Sequence, residues 1–308
     1  MKFYSSIFAL SALASANAFV AQQKNIGSST TTTELNADNS YAYPNGAGTL
    51  TRTRGAPTTY APVDPSGTVS SLARFSDLQS TQDILETLSP VTVQGGSLRT
   101  CSFTQTADRV TVFLKTEGRP LNANVDLWQG PDNAPQKMSV YLEDGSKRPF
   151  RATLEAPGAS NAVAIRNTGQ IEFPLTAALE LDSSGPENSP LDTILADAQY
   201  RTVQGGAVYT TPFPPSVQSV HIGLKTDGRP LNARVELLQG PNNNKQVMEI
   251  YTEDGAERPF YCVIDTPGSG NVVRIVNTAT VEFPISAAVE PYLIDDEISG
   301  SQGGMIWS

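Results

Sequence analysis

The feature that most constrains this chain is an internal duplication. Val93-Gln94-Gly95-Gly96 recurs as Val203-Gln204-Gly205-Gly206, and Lys115-Thr116-Glu117-Gly118-Arg119-Pro120-Leu121-Asn122-Ala123 recurs as Lys225-Thr226-Asp227-Gly228-Arg229-Pro230-Leu231-Asn232-Ala233. Gln129-Gly130-Pro131, Glu143-Asp144-Gly145, Arg148-Pro149-Phe150 and Glu172-Phe173-Pro174 return as Gln239-Gly240-Pro241, Glu253-Asp254-Gly255, Arg258-Pro259-Phe260 and Glu282-Phe283-Pro284. The offset is constant from Thr92 to Glu180 and needs no gap. Solenoid units span roughly 20 to 50 residues, so a period this long is a duplicated domain.

Each copy reads as β-structure. Val110, Val112 and Leu114 alternate with polar or variable positions, as do Val220, Ile222 and Leu224, and period two marks a strand with one buried face. Val125 and Leu127, then Met138, Val140 and Leu142, then Phe150, Ala152 and Leu154, then Val163 and Ile165, and finally Phe173, Leu175, Ala177 and Leu179 continue the pattern. That makes about six strands per copy by strand-length criteria. Glu143-Asp144-Gly145 falls between two of these runs, which predicts a hairpin. A short helix is predicted before each copy, Ser80 to Leu88 and Pro190 to Ala198, with Ile84-Leu85 and Ile194-Leu195 at the repeat offset. The expected fold is all-β with one short helix per repeat. It comprises two tandem homologous β-sandwich or barrel-like domains, 78–182 and 188–292, related by a pseudo-two-fold.

The flanks have a different composition. Residues 1–18 read as a signal peptide, with Lys2, an apolar stretch from Ile7 to Ala14, and the small-x-small site Ala16-Asn17-Ala18. Residues 19–34 open on Phe19, carry the hydroxylated tract Ser28 to Thr33, and hold no acid before Glu34, which is transit-like, the alternative being simple secretion with a disordered mature N-terminus. Residues 35–77 are rich in Ser, Thr, Pro, Gly and Tyr and read as a disordered linker or arm. Residues 293–308 read as a flexible tail in which a Ser/Gly spacer carries the apolar tip Met305-Ile306-Trp307. Such a tip docks in a groove or at a sheet edge, in the same chain or a neighbouring one.

A net charge of -10 excludes a nucleic-acid backbone as the main partner, because phosphate binding needs clustered Lys and Arg. Beyond the N-terminus no apolar run approaches the roughly 20 residues of a membrane span. Cys101 and Cys262 occupy non-equivalent positions of the two copies and read as free thiols of a reducing compartment. His221 is the chain's single histidine, and Thr111 stands at its position in the first copy. It has no triad or metal-ligand partners nearby in sequence. The Asp-Gly pairs lack ligand-spaced acids, and there is no Gly-rich phosphate loop. No catalytic, cofactor or metal site is expected.

Two sets of residues remain. Phe113, Trp128 and Tyr261 lie on faces opposite the inferred core, where the other copy has Gly223, Leu238 and Arg151. With Met305, Ile306 and Trp307 they are the candidate assembly interface. The alternative is that the two copies bury the three face residues against each other. Arg119, Asn122, Arg229 and Asn232 belong to the duplicated Gly-Arg-Pro-Leu-Asn loop. They either recognise a ligand or partner, or shape a turn, and the clear backbone roles of Gly and Pro favour the turn.

The duplicated Lys-Thr-Glu/Asp-Gly-Arg-Pro-Leu-Asn-Ala block, with Gln-Gly-Pro, Glu-Asp-Gly, Arg-Pro-Phe and the plastid-type presequence, resembles the diatom pyrenoid shell proteins. The resemblance spans about Thr92 to Glu290. It implies a non-enzymatic structural protein of the chloroplast stroma, directed there by a bipartite presequence. Such a protein tiles into a sheet around the Rubisco-filled pyrenoid and limits CO2 leakage during carbon fixation. The implied partners are further copies of itself, paralogous shell proteins and the Rubisco condensate, with no cofactor. The competing expectation is a plastid carbohydrate- or protein-binding module built on the duplicated loop.

Overall fold

A computed structural model describes residues 22–23, 79–103, 107–182, 198–241 and 243–295. The signal peptide, all of the transit-like segment but 22–23, the linker as far as 77, nearly all of the second predicted helix and the apolar tip of the tail lie outside them.

The first copy opens with helix α1 (Thr81–Thr87), capped by the Ser80 hydroxyl, which accepts the Asp83 N–H at 3.1 Å. It continues with β2 (Val91–Val93), β3 (Leu98–Ser102), β4 (Arg109–Lys115), β5 (Leu121–Gln129), β6 (Asn133–Leu142), β7 (Phe150–Glu155), β8 (Asn161–Asn167) and β9 (Leu175–Asp182). The second copy repeats the set as β10 (Arg201–Val203), β11 (Val208–Phe213), β12 (Val217–Lys225), β13 (Leu231–Gln239), β14 (Asn244–Thr252), β15 (Phe260–Asp265), β16 (Asn271–Asn277) and β17 (Ile285–Ile294). A two-residue strand, β1 (Gln22–Gln23), runs parallel beside β9. Eight strands per copy replace the expected six. The two extra pairs are β2 with β10, of three residues each, and β3 with β11, whose sequences lack an apolar alternation.

These strands form two sheets. One has nine strands, ordered β1-β9-β4-β7-β15-β12-β17-β10 with β2 also on β9, and the other eight, ordered β11-β16-β13-β14-β6-β5-β8-β3. Both sheets run through both copies. In the eight-stranded sheet β14 pairs antiparallel with β6, placing Glu249 opposite Ser139. In the nine-stranded sheet β15 pairs antiparallel with β7, placing Cys262 opposite Ala152. Each of these residues faces its own counterpart from the other copy, so the pseudo-two-fold passes through both points. One apolar cluster fills the interlayer from Val93 to Val289, with Phe150 and Phe260 fully buried on the two sides of the axis.

The predicted Asp-Gly hairpin is not formed. β6 belongs to the eight-stranded sheet and β7 to the nine-stranded one, so Glu143-Asp144-Gly145 carries the chain across the sandwich. Asp144 Oδ1 accepts the N–H groups of Ser146 and Lys147 at 3.0 and 3.3 Å, and Asp254 Oδ1 accepts those of Ala256 and Glu257 at 2.8 and 3.0 Å. This Asx geometry turns the chain without pairing the strands it joins. Apolar alternation on both flanks reports only that both strands face the core.

The copies are also locked by side chains. Arg148 Nη2 donates to Gln239 Oε1 at 3.0 Å, and its counterpart Arg258 Nη2 donates to Gln129 Oε1 at 3.0 Å. The Arg-Pro-Phe of each copy therefore grips the Gln-Gly-Pro of the other. Glu143 N–H donates to Lys245 O at 2.9 Å and Glu253 N–H to Pro135 O at 2.8 Å, a second reciprocal pair.

Candidate functional site

The outer face of the nine-stranded sheet is covered. Phe113 has no exposed surface and packs with Ile84 and Leu85 of α1 and with Ala178. Tyr261 is buried against Ala288, with Ala198 and Tyr200 beside it. Neither residue is an open interface in the single chain, which corrects their assignment as candidate assembly residues. Helix α1 covers Phe113, and Tyr261, whose cross-strand neighbour on the first copy is Thr153, is covered by residues 198–200. The substitutions between copies are coupled across strands. Phe113 pairs with Arg151 in one copy, and Gly223 pairs with Tyr261 in the other. A large side chain on one strand is thus exchanged for a large side chain on its neighbour, which keeps the covered volume filled.

His221 lies on this face, fully buried, where Val263 is its cross-strand partner. Thr111 and Thr153 hold the matching positions and bond to each other at 3.0 Å. The imidazole meets Tyr292 edge-on, with 6.2 Å between centroids, and neither ring nitrogen has a hydrogen-bond partner among the described residues. Burial, reinforced by the Arg151 charge, lowers its pKa to about 3. The ring is neutral packing, with no base or nucleophile partner in place among the described residues.

Asp265 sits nearby, where the Thr81 hydroxyl donates to Oδ1 at 3.5 Å. Burial raises its carboxyl to about 7 against the opposing pull of Arg151, Thr81 and Arg148. An unfolded aspartate titrates near 3.9. Asp265 therefore leaves stability intact below about pH 4 and lowers it progressively as pH rises through 7. Asp265→Asn is expected to stabilise the chain by roughly 2 kcal/mol at pH 8 and to be neutral at pH 4. Urea titrations at the two pH values test this, and equal effects at both would refute it. His221 acts in the opposite direction, removing stability as pH falls from about 6.5 toward 3.

The duplicated loop is an internal brace. Arg119 Nη1 donates to Glu172 O at 3.4 Å with its guanidinium 5.5 Å from the centre of the Phe173 ring. Arg229 Nη1 donates to Glu282 O at 2.7 Å, 5.9 Å from the centre of Phe283. Asn122 and Asn232 accept the N–H groups of Thr168 and Thr278 through their backbone carbonyls at 3.0 and 3.1 Å. A cavity of about 310 Å³ lies beside the first loop, lined by Thr116, Pro120, Asn122, Gln170 and Phe173 among others.

The outer face of the eight-stranded sheet has no cover among the described residues. Trp128 is 36% exposed there, while its counterpart Leu238 is buried. Tyr141 and Tyr251, equivalent in the two copies, are similarly exposed. A groove of about 640 Å³ crosses the pseudo-two-fold between Lys137, Ser139, Glu249 and Tyr251. In the second copy the buried Glu236 carboxylate is held by Arg234 at 2.7 Å and by Arg274. Met305, Ile306 and Trp307 lie outside the described residues.

A family model described as diatom pyrenoid shell protein matches residues 84–291. The chain belongs to that family. Membership gives the pyrenoid shell chain a structural character and an association with the chloroplast pyrenoid. No curated protein matches it. Among solved structures, vicilin from tomato, Solanum lycopersicum, is 10% identical with a TM-score of 0.19, over 66% of this chain and 73% of that one. An oxalate decarboxylase is 8% identical with a TM-score of 0.17, over 72% and 76%. A deletion mutant of the Bacillus subtilis oxalate decarboxylase is 9% identical with a TM-score of 0.18 over the same shares. Likenesses this weak contribute nothing to the reading of the shell chain. Among its described residues there is no cluster of three or more His, Cys, Asp or Glu able to hold a metal. Cys101 and Cys262 are buried and neither is in a disulfide, and no described helix is long and apolar enough to cross a membrane.

Proposed function

We propose that the pyrenoid shell chain is a self-assembling tile. Copies of it associate into a sheet around the Rubisco-containing pyrenoid, keep the compartment compact and limit CO2 leakage during carbon fixation. The observation that carries the reading is the continuity of both sheets through both copies. It makes the molecule one slab with a covered face, an open face and equivalent edges at its two ends. On the eight-stranded sheet those edges are β3 and β11, which are counterparts. Contacts at two ends that do not close on themselves propagate into open assemblies. The bipartite presequence would deliver the tile to the stroma, and the apolar tip Met305-Ile306-Trp307 would strengthen contacts by docking on the same or a neighbouring copy. Paralogous shell proteins and the Rubisco condensate are further partners.

The chain from residue 35 is expected to form sheets, tubes or closed shells in negative-stain electron microscopy over a concentration series. Deleting Gly303 to Ser308 should raise the concentration needed by about tenfold, the equivalent of roughly 1.4 kcal/mol per contact. A monodisperse monomer at every concentration would overturn the tile reading. It would favour a binding module at the 310 Å³ cavity beside the Arg119 loop.

A further inference from the structure

Three elements shared by the two copies, the Val-Gln-Gly-Gly segment, the Gly-Arg-Pro-Leu-Asn segment and the asparagine that ends β8 or β16, converge on one loop per copy, 168–174 and 278–284. Gly95 lies so close beneath the first loop that a Cβ there would fall 1.7 Å from Gln170 O, and one at Gly205 would fall 1.8 Å from Thr280 O. Asn167 Nδ2 donates to Val93 O at 3.0 Å and to Phe173 O at 2.8 Å, and Asn277 Nδ2 donates to Val203 O and Phe283 O at 2.9 and 2.8 Å. Arg119 and Arg229 close the third side, as described above. Each loop is thus clamped by Gly-Gly, by an asparagine and by a guanidinium.

The apex of each clamped loop is a β-branched apolar side chain in water. Ile171 is 80% exposed and its counterpart Val281 is 73% exposed, the two highest values for large hydrophobic residues among the described positions. Isolated exposed apolar residues are ordinary. Equivalent ones at the tips of two equally braced loops are a different matter. A stiff side chain on a preorganised loop loses little freedom when it is covered. Around the first apex Glu117, Arg119 and Glu172 are exposed, and around the second Asp227, Arg229 and Glu282. Each corner therefore offers one arginine and two carboxylates around an apolar point, with Arg229 already 3.6 Å from Asp227, so the arginine of one corner can be set against the remaining glutamate of another.

The strand directions place these corners apart. Five antiparallel steps separate β8 from β16 in the eight-stranded sheet. The two strands run in opposite senses, roughly 24 Å apart at the usual strand spacing. Ile171 follows β8 and Val281 follows β16, so the tips point from opposite ends of the slab at diagonal corners.

We propose that the Ile171 and Val281 tips are corner contacts for a second copy of this chain, apolar point to apolar point, with Arg119 and Arg229 set against the neighbour's acids. The proposal rests on the tile reading and names the surface through which tiles extend into rows. The double variant Ile171→Lys/Val281→Lys changes only exposed side chains. It is expected to keep the parent's melting temperature while needing at least tenfold more protein to assemble. A parent chain that assembles alongside an equally competent variant overturns this inference and leaves the tile reading standing. A parent that never assembles overturns both. Cysteine pairing gives a readout that does not depend on microscopy. Ile171→Cys/Val281→Cys should oxidise into a ladder of multimers, whereas each single variant stops at monomer or dimer. The native thiols do not compete, since Cys101 is 0% and Cys262 2% exposed. A double variant that yields no ladder counts against the contact.

Discussion

Alanine at Gly95 or at Gly205 is expected to destabilise the chain by about 3 kcal/mol or more, the high end for inserting one methyl group into a packed site. The added Cβ would meet a backbone carbonyl at 1.7 or 1.8 Å. A flexible side chain could swing aside, but these carbonyls are fixed, because Gln170 O accepts the Phe173 N–H at 2.9 Å and Thr280 O accepts the Phe283 N–H at 3.0 Å. The loop must lift, and the asparagine and guanidinium braces go with it. The adjacent Gly96 and Gly206 provide the control. Both have positive φ, 74° and 77°, but open space where a Cβ would go. Alanine there incurs only left-handed backbone strain, about 1–2 kcal/mol. Denaturant titration of the four single variants should rank Gly95 and Gly205 well below their neighbours. A reversed or flat ranking would mean the loops are not braced as described.

Removing the reciprocal Arg–Gln clamps should weaken the junction between the copies by a comparable amount. Arg148 and Arg258 are 4% and 5% exposed, and burial presses the Arg148 guanidinium below its ordinary pKa. Each gives its counterpart copy one charge-assisted bond of about 1.5–3 kcal/mol. Arg148→Met and Arg258→Met are each expected to cost about 2 kcal/mol, and the pair about 4, since the two clamps share no residue. A double-mutant cycle of Arg148→Met with Gln239→Leu should return a coupling of at least 1 kcal/mol. A coupling near zero would reduce the clamp to incidental contact.

Much of the fold was legible because it rests on periodicity. The constant repeat offset announced two equivalent halves, and Val110-Val112-Leu114 or Met138-Val140-Leu142 announced strands with one buried face. What stayed hidden depends on which strand lies beside which. β2 and β3 are too short or too polar to alternate. Asp-Gly looks the same whether it turns a hairpin or bridges two layers. Phe113 and Tyr261 sit on outward faces, and only the placement of α1 and of residues 198–200 decides that they are covered. The trade of Phe113 with Arg151 for Gly223 with Tyr261 needs the cross-strand register to be seen as one event. The clamps are hidden for a related reason: Arg-Pro-Phe and Gln-Gly-Pro are plain in each copy, but their partners lie in the other. Ile171 and Val281 carry no sequence signal because they differ between copies and sit in loops, where alternation has no meaning.

The register at the junction also bears on how such a chain arises. Ala152 faces Cys262 and Ser139 faces Glu249, each residue set against its own counterpart. That is the pairing two identical single-domain proteins would adopt in a symmetric dimer, where one self-complementary patch serves both partners. Joining the two genes end to end would preserve every contact and add only a connecting segment. It would also lift a restriction. In a dimer any change at the axis occurs twice, so a glutamate there would face a glutamate and a cysteine a cysteine. Once the halves share a chain, one side can take Glu249 or Cys262 while the other keeps Ser139 or Ala152. The divergence now visible along the axis is open to a fused pair and closed to the dimer it would have come from.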